Sequence, residues 1–333
     1  VSGSDPSDGF VLTHWNRYSA QEGARAIQRA AQLGARHVSL LVMLEQQSRH
    51  DDAPGWQFCE RGETLATSFQ GKRLTELVSV ARAEGLEVGL IPFLLCSEVE
   101  RHHLMPRSRP SWFKNYGARL LEVAELGREL GARELVIGSE LSSLFGESEA
   151  WRELAALARG VFPGELTISC VVPQYLLIKF WDALDSIGIS AYFPLTLHPR
   201  LRAPQGLESA WALWRYHLLE VARARGKPLT FVEVGYPSTH VAAFMPWDYR
   251  YGQRRLDPEL AAACWRAFAR TWAGEPRLRG CRVWGLSVLA DEPAASFNPL
   301  GKPAEGVLRA FFAERVREAQ SRSTSMRSSR IGQ

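Results

Sequence analysis

Short runs of apolar, often β-branched residues alternate along this chain with longer segments in which apolar positions recur every three or four residues. The short runs are Phe10–Trp15, His37–Leu44, Glu87–Leu95, Glu134–Leu141, Leu166–Val172, Ser186–Phe193, Leu229–Tyr236 and Arg282–Leu289. Most are continuously apolar, the pattern of parallel strands covered on both faces. The longer segments read as amphipathic helices. Leu74, Leu77, Val78 and Ala81 form one stripe before Glu84-Gly85, and Tyr116, Leu120, Val123 and Leu130 form another before Gly131. A third stripe, Leu260, Cys264, Phe268 and Trp272, is opened by Asp257-Pro258, an N-cap followed by a first-turn proline.

About eight such β-then-α units follow one another with short helix-to-strand links and no break in composition. The pattern predicts a single α/β domain, a closed (β/α)8 TIM barrel over residues 10–314. A doubly wound sheet would also alternate strand and helix, but no glycine-rich first turn is present. Residues 1–9 are expected to form an N-terminal extension and residues 315–333 a basic, Ser/Arg-rich, disordered tail. The long connections all follow strands: Glu45–Lys72 after the second, Ser97–Ser111 after the third, Leu195–Gly206 after the sixth and Pro237–Asp257 after the seventh. Loops on that face of a barrel carry binding and catalysis, and these hold Trp56, Trp112, Phe244, Trp247, Tyr249 and Tyr251.

Composition changes this picture little. Hydrophobic residues make up 46% and charged residues 23%, a globular balance with ample material for one core. No run of about 18 apolar residues exists to span a membrane. The formal charge of +4 invites a polyanion partner until it is located. Of 40 basic and 36 acidic side chains, five arginines and one glutamate lie from Arg315 onward, which leaves 35 of each in residues 1–314. The body is neutral, and no nucleic-acid partner is expected. The five cysteines show no CxxC or zinc spacing, and Cys96, Cys170 and Cys281 fall in or beside apolar runs as free thiols. Neither a metal nor a cofactor is expected. The chain opens Val1-Ser-Gly-Ser-Asp-Pro6 without methionine. A removed leader would explain that, favouring a secreted or periplasmic protein over a cytoplasmic one, and trimming of the chain would explain it equally. Oligomeric state is open.

Two glutamates carry the chemistry. Glu140 closes Glu134-Leu-Val-Ile-Gly-Ser-Glu140 on the fourth strand, and Glu233 closes Leu229-Thr-Phe-Val-Glu233 on the seventh. Taken alone, Glu140 could simply begin a helix and offset its dipole. Glu233 lies among apolar neighbours, where a carboxylate is costly unless it is paired, hydrogen-bonded or functional. Strand ends of one barrel face converge, so both carboxylates aim at one cavity, as glycosidic cleavage by paired carboxylates requires. Tyr192, at the end of the sixth strand, is placed to donate its hydroxyl to Glu233. The eleven tryptophans suit sugar-ring platforms as well as packing. Asp182 and Asp185 precede the sixth strand and are assigned to the opposite face. His102-His103 reads as a solvated loop pair, and no HExxH, GxSxG, P-loop or GxGxxG pattern occurs.

Ile137-Gly-Ser-Glu-Leu141, Phe180–Pro194 and Gly226–Tyr236 resemble clan-A glycoside hydrolases, most closely the family 113 β-mannanases. Pro246-Trp-Asp248, Ser111–Tyr116 and Asn298–Ala304 add weaker matches, and together the stretches span most of residues 10–312. The resemblance implies a retaining β-glycosidase without a cofactor, acting on a β-linked oligo- or polysaccharide, with β-mannan the first expectation. It implies Glu140 as acid/base, Glu233 as nucleophile, and Trp15, Gln46, Tyr192, Trp247 and Trp284 as subsite residues. Ser139 departs from the pattern, because many clan-A enzymes carry asparagine before the acid/base to contact the sugar 2-hydroxyl. Strand eight, Val283-Trp-Gly-Leu-Ser-Val288, and the loop 96–111 also fit the mannanases poorly. Two alternatives stand beside the hydrolase: a non-catalytic glycan-binding or scaffold barrel, and a transglycosidase or hydrolase of an amino-sugar or acidic exopolysaccharide. Arg101, Arg107 and Arg109 would suit an acidic glycan, or would be plain solvated arginines.

Overall fold

The structure, a computed structural model, describes residues 6–331 apart from positions 16, 61 and 290. The first five residues of the expected N-terminal extension, and the last two of the tail, lie outside the described residues.

Among the described residues nine strands form one sheet: β1 (Gly9–Thr13), β2 (His37–Gln46), β3 (Gly55–Trp56), β4 (Glu87–Cys96), β5 (Glu134–Ser139), β6 (Glu165–Ser169), β7 (Ile187–Ser190), β8 (Leu229–Val234) and β9 (Leu278–Ser287). Their order is β6-β5-β4-β2-β1-β9-β8-β7, and every pair on this path is parallel. A bridge between Cys170 and Ile189 closes β6 onto β7, with Ser190 N donating to Cys170 O at 2.9 Å. The eight long strands thus form the expected (β/α)8 barrel. The short β3, which sequence reading missed, pairs antiparallel with β2 inside the loop that follows it. With β3 counted, Glu140 follows the fourth barrel strand, β5, and Glu233 lies on the seventh, β8.

Side-chain alternation sorts the core into two layers. Val11, Leu41, Met43, Ile91, Phe93, Val136 and Val232 point inward and fill the barrel. Their neighbours Phe10, Leu12, Leu40, Val42, Leu44, Leu90 and Leu135 point outward and pack beneath the helices. Burial on both faces explains why the strands read as continuous apolar runs.

The helices are α1 (Ala20–Gln32), α2 (Phe69–Ala83), α3 (Arg109–Glu129), α4 (Ser148–Arg159), α5 (Pro204–Arg225), α6 (Pro258–Trp272) and α7 (Pro303–Ile331). Their starts follow local chemistry. Ser19 and Glu22 form a reciprocal capping box on α1, and the Asp257 carboxylate accepts from Leu260 N at 3.1 Å on α6. The repeat is incomplete after β6. There two 3-10 turns, Gln174–Leu176 and Trp181–Ala183, stand where an eighth α-helix was expected. The seventeen residues between β6 and β7 include Pro173, which offers no backbone donor to a helix. Asp182 and Asp185 pair with Arg152 and Arg159, and Asp185 also accepts from Leu166 N at the start of β6, in keeping with a structural role.

α7 crosses the expected boundary at residue 314 and runs on to Ile331. Arg315, counted with that tail, is buried. Its guanidinium donates to the Asp8 carboxylate at 3.0 Å and to the Glu275 carbonyl at 3.0 Å. Asp8, counted with the extension, is equally buried, so this pair ties both ends of the chain to the barrel. A run of arginines and serines looks solvated by composition, and the first arginine of the run instead neutralises a buried acid.

Among the described residues no helix is long and apolar enough to cross a membrane, and no cluster of three or more His, Cys, Asp or Glu could hold a metal. The five cysteines are free.

Candidate active site

Strict alternation along β8 would send Glu233 outward, since Val232 points into the barrel. A bulge changes that. From Phe231 to Glu233, β8 advances two residues while β7 advances one, from Ile189 to Ser190. The register with β9 slips over the same stretch, between Phe231 and Val234. The extra residue turns Glu233 inward beside Val232, a common use of bulges next to functional sites. β5 has the same device: from Val136 to Ser139 it advances three residues while β6 advances two, from Thr167 to Ser169. Gly138 falls at the irregularity. A Cβ there would stand 2.5 Å from the fully buried Trp151 ring, so only glycine fits.

Glu140 follows immediately, with φ of 54°. A left-handed backbone costs a non-glycine residue about 1 kcal/mol or more, and such strain gathers at functional sites. Its N–H donates to Ser169 O at 2.8 Å, which fixes the turn. The helix-start reading of Glu140 is therefore corrected, for α4 begins only at Ser148.

Glu233 is 2% exposed. The Tyr192 hydroxyl donates to its Oε2 at 3.1 Å, and the Ser139 hydroxyl reaches its Oε1 at 3.4 Å. The contact expected between Tyr192 and Glu233 is thus present. Burial, then the charge of Glu140, pushes the Glu233 carboxyl up to about 8, against the lowering influence of Arg101, Tyr192 and Ser139. Burial, then the two glutamates, pushes the Tyr192 hydroxyl well above its ordinary range, so it remains a donor.

Arg101 is the group that sequence reading weighed differently. It lies on a single 3-10 turn, Arg101–His103, in the loop after β4, and it is 9% exposed rather than solvated. Its guanidinium pairs with Glu140 Oε2 at 2.7 Å and lies 3.9 Å from the centre of the Phe93 ring. Phe93, also missed, points inward from β4 and stacks on Trp284 with centroids 5.8 Å apart. Trp15 joins both, 5.8 Å from Phe93 and 6.2 Å from Trp284, and is 48% exposed. Strand alternation could have found Phe93, two residues on from the inward Ile91. Nothing local distinguishes Arg101 from its exposed neighbours.

The remaining expected residues are less closely gathered. Gln46, at the end of β2, is buried, with its carbonyl accepting from the Trp112 indole at 3.3 Å and its amide donating to Ser48 O at 2.8 Å. Trp247 stands half-exposed in the loop after β8 and, among the described residues, makes no ring contact with the Trp15–Phe93–Trp284 group. Two loop aromatics are corrected to core. Trp112 is fully buried in the first turn of α3, stacked on Tyr116 at 4.8 Å, and Trp56 is 8% exposed. The segment 288–302 after β9 is a further long connection. Its Phe297 packs edge-on to Tyr192 at 6.0 Å.

A buried carboxyl with two hydroxyl donors, and a second carboxylate whose charge it feels, face one aromatic-lined opening of the barrel. Carboxyls in such a pair can give a proton to a glycosidic oxygen and attack the adjoining anomeric carbon. The sequence model of Glycoside Hydrolase Family 113 matches residues 9–296. The chain belongs to glycoside hydrolase family 113. It is a glycoside hydrolase on a TIM barrel. Solved structures agree in fold. The family 113 β-mannanase AaManA from Alicyclobacillus acidocaldarius, in complex with ManMIm, superposes with a TM-score of 0.82 at 24% identity, covering 93% of this chain and 98% of that one. A family 113 β-1,4-mannanase in a complex gives 0.80 at 23% identity, over 93% and 99% of the two chains. The GH5_18 protein of Streptomyces cattleya in complex with GlcNAc is similar more distantly, at 0.65 and 16% identity over 95% and 81%. A search of curated proteins returns no match.

Proposed function

We propose that this family 113 hydrolase cleaves β-1,4-linked mannan-type oligo- or polysaccharides with retention of configuration. Glu233 is the nucleophile and Glu140 the acid/base. The Glu233 carboxylate attacks the anomeric carbon while Glu140 gives its proton to the departing glycosidic oxygen. A water then returns a proton to Glu140 and adds its oxygen to the anomeric carbon, releasing Glu233. The observation that carries this reading is the bulge-directed Glu233 held by Tyr192 and Ser139 within the field of Glu140. Trp15, Trp284 and Trp247 are offered as sugar platforms, the first two continuous with Phe93. Gln46 acts at one remove, bracing the loop after β2 through Ser48 and Trp112. The mannan assignment leans on the two similar family 113 mannanases.

The test is Glu233→Ala and Glu140→Ala assayed on β-1,4-mannan oligosaccharides and on 2,4-dinitrophenyl β-mannobioside, with the first product anomer followed by NMR. Glu233→Ala should abolish turnover of both, with azide restoring an inverted glycosyl azide. Glu140→Ala should lose the oligosaccharides and keep glycosylation by the dinitrophenyl substrate. A product that first appears with inverted configuration from the unmodified enzyme rules out Glu233 as nucleophile.

A further inference from the structure

Arg101 creates a difficulty for an acid at Glu140. A salt bridge to guanidinium is an interaction of the carboxylate, and the Arg101–Glu140 contact is short, at 2.7 Å, with side chains only 10% and 13% exposed. The general acid of the proposed reaction must carry a proton instead. Burial, then the charge of Glu140, raises Glu233, the carboxyl required to be ionised.

We propose that Arg101 is a positioning residue that clamps Glu140 and is drawn off it by the entering glycan, so that Glu140 becomes an acid only when substrate is present. This rests on the acid/base reading of Glu140. Three features besides the contact itself point to displacement. Arg101 stands on one 3-10 turn in the loop after β4 rather than on a strand. Its guanidinium covers Phe93, the inner member of the aromatic group that a sugar ring would occupy. Its Nε is buried without a hydrogen-bond partner, a donor left over for an oxygen that the chain does not supply. Sugar hydroxyls entering beside Phe93 offer that oxygen. Once the guanidinium turns to them, Glu140 loses the partner that holds it as a carboxylate and can take up the proton that its acid role requires.

The other titratable groups around the contact are Glu233 on β8, Tyr192 after β7, Cys170 after β6, and Glu100, His102 and His103 beside Arg101. Burial raises the Tyr192 hydroxyl and the Cys170 thiol well above their ordinary ranges, and burial followed by His103 lowers His102. The pH dependence near neutrality therefore rests on Glu233, raised by burial and then by the charge of Glu140, and lowered by Arg101.

The experiment compares unmodified enzyme with Arg101→Met and Arg101→Lys over pH 4 to 10. The substrates are a β-1,4-mannan oligosaccharide, which needs an acid, and 2,4-dinitrophenyl β-mannobioside, whose leaving group does not. Arg101→Met should move the alkaline limb of kcat/KM on the oligosaccharide up by about one pH unit or more, the usual effect of removing a paired opposite charge. Arg101→Lys should fall between the two. On the dinitrophenyl substrate above pH 9 all three should agree within about threefold. Coincident oligosaccharide profiles, or an equal loss on both substrates at every pH, would overturn the proposal. A crystal structure of the unmodified enzyme soaked with mannotriose gives a reading independent of any variant. Arg101 moved away from Glu140 supports displacement, and the 2.7 Å contact retained beside a bound glycan ends it. If Glu140→Ala keeps full oligosaccharide turnover, the acid/base assignment fails on its own account, and the soaked structure still decides whether Arg101 moves.

Discussion

The Ser139 hydroxyl stands 3.4 Å from a carboxylate oxygen of Glu233, so the residue preceding one glutamate touches the other. The strand end that presents Glu140 thereby also steadies the nucleophile proposed across the barrel. At 3.4 Å the bond is long, and its net worth is about 1 kcal/mol or less. Ser139→Ala is expected to lower kcat/KM on mannan oligosaccharides by roughly fivefold, with thermal stability little changed. A loss of a hundredfold or more would mean that Ser139 meets the substrate itself. Steady-state kinetics beside a thermal melt separates the two.

Gly138 decides where that strand end points. Any Cβ at this position runs into Trp151, which is fully buried and stacked on Phe180 at 5.7 Å, so the backbone must shift instead. Gly138→Ala is expected to cost about 1 to 3 kcal/mol, the range for overpacking a filled core. The shift falls on Ser139 and Glu140, so kcat should drop well beyond what the lost stability explains. Melting temperature and kcat at 25 °C, measured on the same preparation, check both halves.

Tyr192 lowers the Glu233 carboxyl by donating to it at 3.1 Å, in opposition to burial and Glu140. Tyr192→Phe removes the donor and leaves the ring against Phe297. The Glu233 carboxyl then rises above about 8, and the ionised form of this proposed nucleophile becomes scarcer at any given pH below it. The acid limb of the activity profile should move to higher pH, and kcat at pH 6 should fall by roughly ten- to a hundredfold. An unmoved acid limb would show that the hydrogen bond does not govern the ionisation of Glu233.

The barrel was legible in the sequence because β2 and β4 are filled with apolar residues on both faces, and the two glutamates stood out as carboxylates among such residues. The bulges were not legible. In a strand apolar on both faces a slipped register leaves no trace in the pattern, so the inward turn of Glu233 depends on β7 and β9 rather than on β8 alone. Arg101 was hidden for a different reason. Its burial comes from tertiary contact with Glu140 and Phe93, while its neighbours in sequence are polar loop residues. Trp112 misled in the opposite sense, an aromatic beside a loop whose place on the inner turn of α3 only the packing on Tyr116 reveals. Arg315 shows the limit of composition, since one arginine of a solvated-looking run answers the buried Asp8.

Glu233 should also set a pH dependence of stability. Its folded-state value of about 8 lies above the ordinary carboxylate value of 4.5, so the folded protein holds this proton more tightly than the unfolded chain does. The contribution is fully favourable below about 4.5. It declines as pH rises from there through about 8, because ionising a buried carboxyl beside Glu140 opposes folding. Glu233→Gln keeps the shape and removes the ionisation. The variant should therefore match the unmodified protein near pH 4 and exceed its melting temperature by roughly 2 to 5 °C at pH 8.5, while turning over no substrate. The sign carries the argument, since a merely structural glutamate, paired and stabilising, would make Gln the weaker protein at high pH. A variant less stable than the unmodified enzyme at pH 8.5 would mean that Tyr192 and Ser139 outweigh burial at this position, and that the strain expected of an active-site carboxylate is absent.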